Sequence, residues 1–145
     1  MTTPAQTVGP YLSLGLPWED GPVADPDGLR IDGRVLDGEG APVPDALVEA
    51  WCPQPAAFAR CATDDEGRWH VVMPEAPHYA LNVFARGLLH RLVTRVYLAD
   101  DPADELLASI APERRATLLA ETSDGGHYRF DIRLQGDGET VFFDL

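Results

Sequence analysis

The chain has 145 residues, enough for one sizeable core and too few for two comfortable domains. Its 24 acidic residues against 11 basic ones give a formal charge of −13, which argues against nucleic acid or an anionic membrane as a partner. No apolar run reaches the roughly 18 residues of a membrane span and the first residues lack a secretory signal, so we expect a cytoplasmic protein. Cys52 and Cys61 have neither CxxC nor zinc-ligand spacing, and we expect two buried, reduced thiols.

The first 28 residues are rich in Pro, Gly and Thr and show little periodicity. The exception is a short run of apolar residues, Tyr11, Leu12, Leu14 and Leu16. Ordering such a segment costs conformational entropy, so these residues predict an arm that lies against its own domain or against a partner. We therefore divide the chain into an arm, residues 1–28, and a domain, residues 29–145.

From residue 29 the apolar residues recur with a period of two. The pattern predicts a strand over 29–35 that pairs with a second strand over 46–51, because residues 37–40 have turn composition. Asp64-Asp65-Glu66-Gly67 predicts the next turn, followed by a strand at 69–73 that Pro74 ends. Two further strands are expected at about 79–85 and 91–98.

The stretch from Pro102 to Ala120 is the exception, since its apolar spacing fits one or two short helices with Pro102 and Pro112 in first turns. Alternation resumes over 128–134, and a turn at 136–138 leads to a returning strand at 140–143. Short strands separated by Gly, Asp and Pro predict a mainly β chain, an antiparallel β-sandwich with an extended arm and helices near 102–120.

His78 and Ala80 share one face of the predicted strand, while Tyr79 points to the other. A strand that offered two histidines on one face could hold a metal ion, but here the second position is alanine. The four histidines and four tyrosines of the chain show no other spacing that marks a ligand set. A histidine hydrogen-bonded within a sandwich is the alternative interpretation of His78.

Four segments carry a resemblance to a known family: TPAQTVGPY at 3–11, FARG at 84–87, YRFDIRLQG at 128–136 and ETVFFD at 139–144. On these the chain resembles the intradiol ring-cleavage dioxygenases, and within them the alpha type of chain. Relative to that type it is short, mainly around residues 17–28 and 52–76. The resemblance covers nearly the whole chain and implies the same β-sandwich fold.

The resemblance also implies an activity shared between two chains. A homologous beta chain would hold Fe(III) through two tyrosines and two histidines, and the pair would cleave 3,4-dihydroxybenzoate with O2 to 3-carboxy-cis,cis-muconate. Catalytic chains of the family carry a His-x-His pair and tyrosine-bearing loops. Here Ala80 replaces the second histidine and no tyrosine lies between Trp51 and Pro77, so we expect this chain to bind no iron.

The residues implied to bind substrate are Arg86 and four positions of the arm: Thr7, Gly9, Pro10 and Tyr11. A guanidinium suits the substrate's carboxylate because its N–H groups form a fork that matches two carboxylate oxygens. From spacing alone, the preferred interpretation of Arg86 is an exposed arginine paired to an internal acid, and that of the arm is a packed or disordered segment; the resemblance reverses this preference. No catalytic residue is expected in this chain.

Two alternative functions stay open at this point. One is a sandwich module without enzyme activity that binds a ligand or a protein, since this architecture hosts many functions. The other is a stand-alone dioxygenase with an unrecognised ligand set. A co-expressed partner with His-x-His would favour the two-chain enzyme, and metal analysis of the chain alone would separate the stand-alone enzyme from the rest.

Overall fold

The computed structural model describes residues 2–9, 11–123 and 125–144, with the side chain of Ser13 left out. Within this part, nine strands form two sheets: β1 Leu29–Leu36, β2 Leu47–Pro53, β3 Ala56–Ala62, β4 Arg68–Met73, β5 His78–Phe84, β6 Leu92–Tyr97, β7 Glu121–Thr122, β8 Tyr128–Arg129 and β9 Ile132–Arg133. The helical segments are short: α1 Leu12–Gly15, α2 Glu105–Ser109, α3 Pro112–Arg115 and a 3-10 turn Ala116–Leu118. The predicted mainly β fold is confirmed.

One sheet has the order β4-β1-β8-β7, with β9 also paired to β1, and the other has the order β3-β2-β5-β6. Most pairs are antiparallel, but β8 and β9 run parallel to β1. The C-terminal tail, residues 128–144, approaches the backbone of β1 closely at Phe130. A Cβ on Gly33 would lie 1.9 Å from Phe130 O. A glycine is therefore required where the tail crosses the first strand.

The prediction that the strands at 29–35 and 46–51 pair with each other was wrong. β1 pairs with β4 and β2 pairs with β3 and β5, so the two predicted partners lie in different sheets. Their link, residues 37–46, passes from one layer of the sandwich to the other. Among the described residues no strand is assigned over the predicted 140–143, and the segment instead makes single hydrogen bonds, from Thr140 N to Arg133 O and from Phe143 N to Val93 O. Pro102 lies outside the helices.

Alternating residues of both sheets meet in one core. β5 shows the pattern most clearly, because every second residue from Tyr79 to Val83 is fully buried. A second, smaller cluster lies where β6 meets the helical segment and consists of Tyr97, Leu107 and Leu118. Cys52 and Cys61 are free and buried, as expected. None of the helices in the described ranges is both long and apolar enough to cross a membrane.

Candidate functional site

Arg86 lies in the loop that follows β5, beside Gly87, whose φ of +86° is a conformation that favours glycine. Its side chain is 65% exposed, and Nε lies 3.0 Å from Oδ2 of Asp45, a side chain that is only 13% exposed. The two groups form an ion pair without an aligned hydrogen bond, and both Asp45 oxygens are buried and accept no hydrogen bond from the described residues. Arg86 thus has an internal acidic partner and an exposed guanidinium.

The structure brings Thr7 to this loop. Thr7 Oγ1 accepts a hydrogen bond from Gly87 N at 2.7 Å, although the two residues are 80 positions apart. Val8 follows and lines a small cavity of about 90 Å³ together with Phe84 and Leu88. The first part of the arm therefore lies next to Arg86, the residue that the resemblance assigns to the substrate.

For two of the other arm positions, Gly9 and Tyr11, the structure shows no hydrogen bond to the loop of Arg86 among the described residues. Gly9 has a φ of +74°, so the chain turns there through a conformation that favours glycine. Tyr11 is 77% exposed, and its hydroxyl makes no hydrogen bond with the described residues. Pro10 lies outside the described residues. Thr7 bonds to the residue next to Arg86, whereas no hydrogen bond among the described residues joins the Tyr11 side chain to either of them. A role in substrate binding stays a prediction for all five residues.

β5 confirms the alternation read from the sequence. Tyr79 is fully buried in the core and its hydroxyl donates a hydrogen bond to Pro74 O at 2.8 Å, while His78 and Ala80 lie on the outer face. Burial raises the pKa of Tyr79 to about 12, so its hydroxyl stays protonated. Tyr79 is therefore a structural residue.

Around His78 the outer face carries a cluster of polar side chains, which we call the Asp104 cluster: His78, Arg95, Tyr97 and Asp104. Asp104 Oδ1 accepts hydrogen bonds from Tyr97 Oη at 3.1 Å and from the amide of Leu107 at 2.8 Å. Arg95 Nη1 lies 3.4 Å and His78 Nδ1 3.9 Å from Asp104 Oδ2. Asp104 is also the N-cap of α2, so one carboxylate joins the helix to the sheet.

The charges in the Asp104 cluster are set by these contacts. Burial would raise the pKa of Asp104, but the amide of Leu107, the hydroxyl of Tyr97 and the guanidinium of Arg95 outweigh it and the pKa is lowered. Burial, and then Arg95, lower the pKa of His78. Asp104 is therefore ionised and His78 neutral at pH 7.

These residues do not fit a ferric ion. Ala80 is paired across the sheet with Arg95, so a cationic group lies beside the position where a second histidine would have to stand. Within residues 2–9, 11–123 and 125–144, no three His, Cys, Asp or Glu side chains converge in a way that could hold a metal. Whether the protein binds iron in solution stays a prediction that metal analysis must test.

Asp45 and the three partners of His78 in the Asp104 cluster were not predicted from the sequence. Asp104 had a detectable signal, since an aspartate directly before a short helical pattern is a common N-cap. Asp45 had none, because its contact with Arg86 depends on how the 37–46 link crosses between the sheets.

Comparison with known proteins agrees with this fold. No family model matches the chain. Among solved structures, the dioxygenase domain of a dioxygenase carbohydrate-binding protein fusion from Streptomyces sp. SirexAA-E superposes with a TM-score of 0.57 and 18% identity over 92% of this chain and 99% of that one. Catechol 1,2-dioxygenase from Acinetobacter sp. ADP1 gives a TM-score of 0.54 and 21% identity over 83% of this chain and 58% of that one. The fold is that of the intradiol dioxygenases.

Curated relatives define the family more narrowly. The alpha chain of protocatechuate 3,4-dioxygenase from Pseudomonas putida is 36% identical, covering 99% of this chain and 96% of its own length, and the alpha chain from Burkholderia cepacia is 35% identical over 99% and 97%. The beta chain from Burkholderia cepacia is 30% identical over 80% of this chain and 68% of its own length. The chain belongs to the family of protocatechuate 3,4-dioxygenase alpha chains.

The alignment to the Pseudomonas putida chain spans 193 positions, against the 145 residues here. The relative therefore carries additional segments, as expected from the short stretches noted in the sequence.

Proposed function

We propose that this chain is the alpha subunit of a protocatechuate 3,4-dioxygenase. With a homologous beta chain it would cleave 3,4-dihydroxybenzoate between its two hydroxylated carbons, using O2, to give 3-carboxy-cis,cis-muconate. The observation that carries the proposal is the 36% identity to an alpha chain over nearly the full length of both chains. The relationship to a beta chain supports a partner of the same fold.

The proposal gives iron to the beta chain. Fe(III) held there would supply the activation of the catechol ring toward O2, and this chain would supply substrate position and cavity shape. Support comes from β5, where Ala80 stands at the position of a second histidine ligand and Arg95 is paired with it across the sheet. The buried free thiols of Cys52 and Cys61 support a reducing, cytoplasmic location for the assembly.

Within this chain, the proposal assigns substrate contact to Arg86, Thr7, Gly9, Pro10 and Tyr11. An exposed guanidinium next to the arm is suited to the carboxylate of 3,4-dihydroxybenzoate, since charge-assisted forked hydrogen bonds are strong and directional. The hydrogen bond from Gly87 N to Thr7 Oγ1 supports a shared site, because it fixes the arm one residue from Arg86.

Co-expression with the beta chain tests the proposal. We expect the two chains to co-purify, the assembly to contain iron, and oxygen to be consumed when 3,4-dihydroxybenzoate is added. A chain that purifies as a stable monomer in the presence of the beta chain would contradict the heteromer. An iron-loaded assembly that consumes no oxygen with this substrate would contradict the activity.

A further inference from the structure

The arm is attached to the body of the protein by Thr7 and again by its stretch from Leu16 to Asp25, which bonds to Arg60 and Val72, with an exposed span between the two attachments. At one end Thr7 Oγ1 accepts from Gly87 N, and at the other Gly21 O accepts from Arg60 N at 2.7 Å. Between these points Tyr11 is 77% exposed and contributes no side-chain hydrogen bond within the described residues. The path of the exposed span therefore depends on its two attachments.

Arg60 holds the second attachment with its side chain as well as its backbone. Nη1 donates a hydrogen bond to Leu16 O at 3.1 Å. The guanidinium carbon lies 5.4 Å from the ring centroid of Trp18 and 5.3 Å from that of Phe58, and the two rings stack with centroids 6.3 Å apart. One arginine thus contacts the arm through a carbonyl and an aromatic face.

Glu49 fixes this arginine. Its Oε1 accepts hydrogen bonds from Arg60 Nη2 at 2.6 Å and Nε at 3.0 Å, and the two side chains are only 14% and 21% exposed. Oε2 accepts from Asn82 Nδ2 at 3.3 Å, and Asn82 Oδ1 accepts from Arg91 Nε at 3.2 Å. This polar row crosses the outer face of the sheet from β3 to Arg91, which lies in the same loop as Gly87, so it runs from one attachment of the arm to the loop that carries the other.

From this geometry we infer that Arg60, held by Glu49, is a positioning residue for the substrate cavity. It contacts no residue assigned to the substrate and acts by fixing the arm that carries Thr7, Gly9 and Tyr11. The inference rests on the proposed function for its effect on substrate, while its effect on the arm does not depend on any activity.

The alternative is that the row only stabilises the sheet. That alternative predicts a lower free energy of unfolding on mutation, with the same arm exchange and the same KM in the folded enzyme. Arg60→Gln removes the charge and the forked pair of hydrogen bonds to Glu49. Arg60→Lys keeps the charge but cannot bond to both Glu49 and Leu16 O in the same way. Arg30→Gln is the matched control. Arg30 pairs with Asp32 on the other sheet at 3.5 Å, and its side chain makes no hydrogen bond to the arm within the described residues.

Hydrogen–deuterium exchange of the peptide over residues 2–20 is measured in the co-purified alpha–beta assembly. We expect Arg60→Gln to speed exchange of this peptide about tenfold, because a partly buried charge-assisted pair is lost, with a smaller increase for Arg60→Lys and none for Arg30→Gln. The KM should rise roughly three- to tenfold for both 3,4-dihydroxybenzoate and catechol with little change in kcat, because the arm shapes the cavity for either ring.

Unchanged arm exchange in Arg60→Gln would overturn the inference outright. Faster exchange with an unchanged KM would overturn the link to the substrate and leave Arg60 as an arm anchor only. An assembly without turnover in the unmodified protein would refute the proposed function and the substrate link together, whereas the exchange result would still decide whether Arg60 holds the arm.

Discussion

We propose Arg86 as the residue of this chain that binds the carboxylate of the substrate. We expect Arg86→Ala to raise the KM for 3,4-dihydroxybenzoate by the equivalent of roughly 1.5 to 3 kcal/mol, typical of a hydrogen bond to a charged group, and to affect catechol much less because catechol lacks the carboxylate. Steady-state oxygen uptake with both substrates measures this. Equal losses for both substrates would give Arg86 a structural role.

Asp45 provides the control for this prediction. Its buried carboxylate is the acidic partner of Arg86, so removal of the arginine leaves it unpaired. Asp45→Asn removes the ion pair and keeps the guanidinium. If Arg86 serves the substrate, this variant should keep or lower the KM; if the ion pair itself is what matters, it should reproduce the defect of Arg86→Ala.

His78 makes the stability of the fold depend on pH. Burial and Arg95 lower its pKa, so the folded chain takes up this proton only below the ordinary value of about 6.5, while the unfolded chain takes it up near that value. The unfolded state therefore binds more protons in this window, and the free energy of unfolding falls as the pH is lowered from about 7.5. Urea titrations at pH 7.5 and 5.5 should show a smaller fall in His78→Gln.

Burial and then Arg30 also lower the pKa of His70. The His78→Gln variant should therefore remove only part of the pH dependence. His90→Gln alters an exposed side chain and is the control. A pH dependence that is identical in the unmodified chain and in His78→Gln would contradict the assignment.

Among the elements, α2 is joined to the sheet by the carboxylate of Asp104 as well as by the packing of Leu107. Asp104→Ala removes the N-cap hydrogen bond to Leu107 together with the contacts to Tyr97 and Arg95. We expect it to lower the free energy of unfolding by about 1 to 3 kcal/mol, from a lost cap and a lost buried hydrogen bond. Chemical denaturation followed by circular dichroism measures the change.

Two variants refine this test. Asp104→Asn keeps an acceptor for the Leu107 amide and loses only the charge beside Arg95, so its effect should be smaller. Asp100→Ala removes an exposed carboxylate that makes no hydrogen bond or ion pair with the described residues and should be nearly neutral. Equal destabilisation by all three would refute a capping role.

Elements that begin or end at a proline, or that alternate clearly between apolar and polar residues, were predictable from the sequence. Pro74 ends β4, alternation defines β5, and Pro112 stands in the first turn of α3. β3 was missed because it is rich in alanine, which has a weak strand preference, and its burial comes from pairing with β2. The pairing error at β1 has a related cause, since a link with turn composition fits a hairpin as well as a passage between sheets.

The candidate site was less predictable than the elements. Thr7 and Gly87 meet across 80 positions, and no spacing rule relates such residues. Arg86 and the arm came from family resemblance, while Asp45 and Arg60 became visible only when both sheets and the arm were in place. Contacts that depend on tertiary packing leave little trace in a local pattern.

At the level of the whole molecule, we expect this chain purified alone to bind no stoichiometric iron. Ala80 stands where a second histidine would be needed, and Arg95 pairs with it across the sheet. Iron analysis and a visible spectrum of the isolated chain, next to those of the assembly, provide the measurement. Near-equimolar Fe(III) with a phenolate charge-transfer band in the isolated chain would contradict the division of labour between the two subunits.

Because β8 and β9 pair in parallel with β1, we expect the first strand to complete its pairing only after the C-terminal residues have been synthesised. Arg34 N bonds to Asp131 Oδ1 across 97 positions, and β8 and β9 supply the second neighbour of β1. Until the ribosome has released that tail, β1 keeps one unpaired edge, which is the kind of surface that recruits other strands. Closure over such a separation is slow. We therefore expect subunit assembly to follow translation, and a chain that stops before Tyr128 to aggregate instead of forming a shorter subunit.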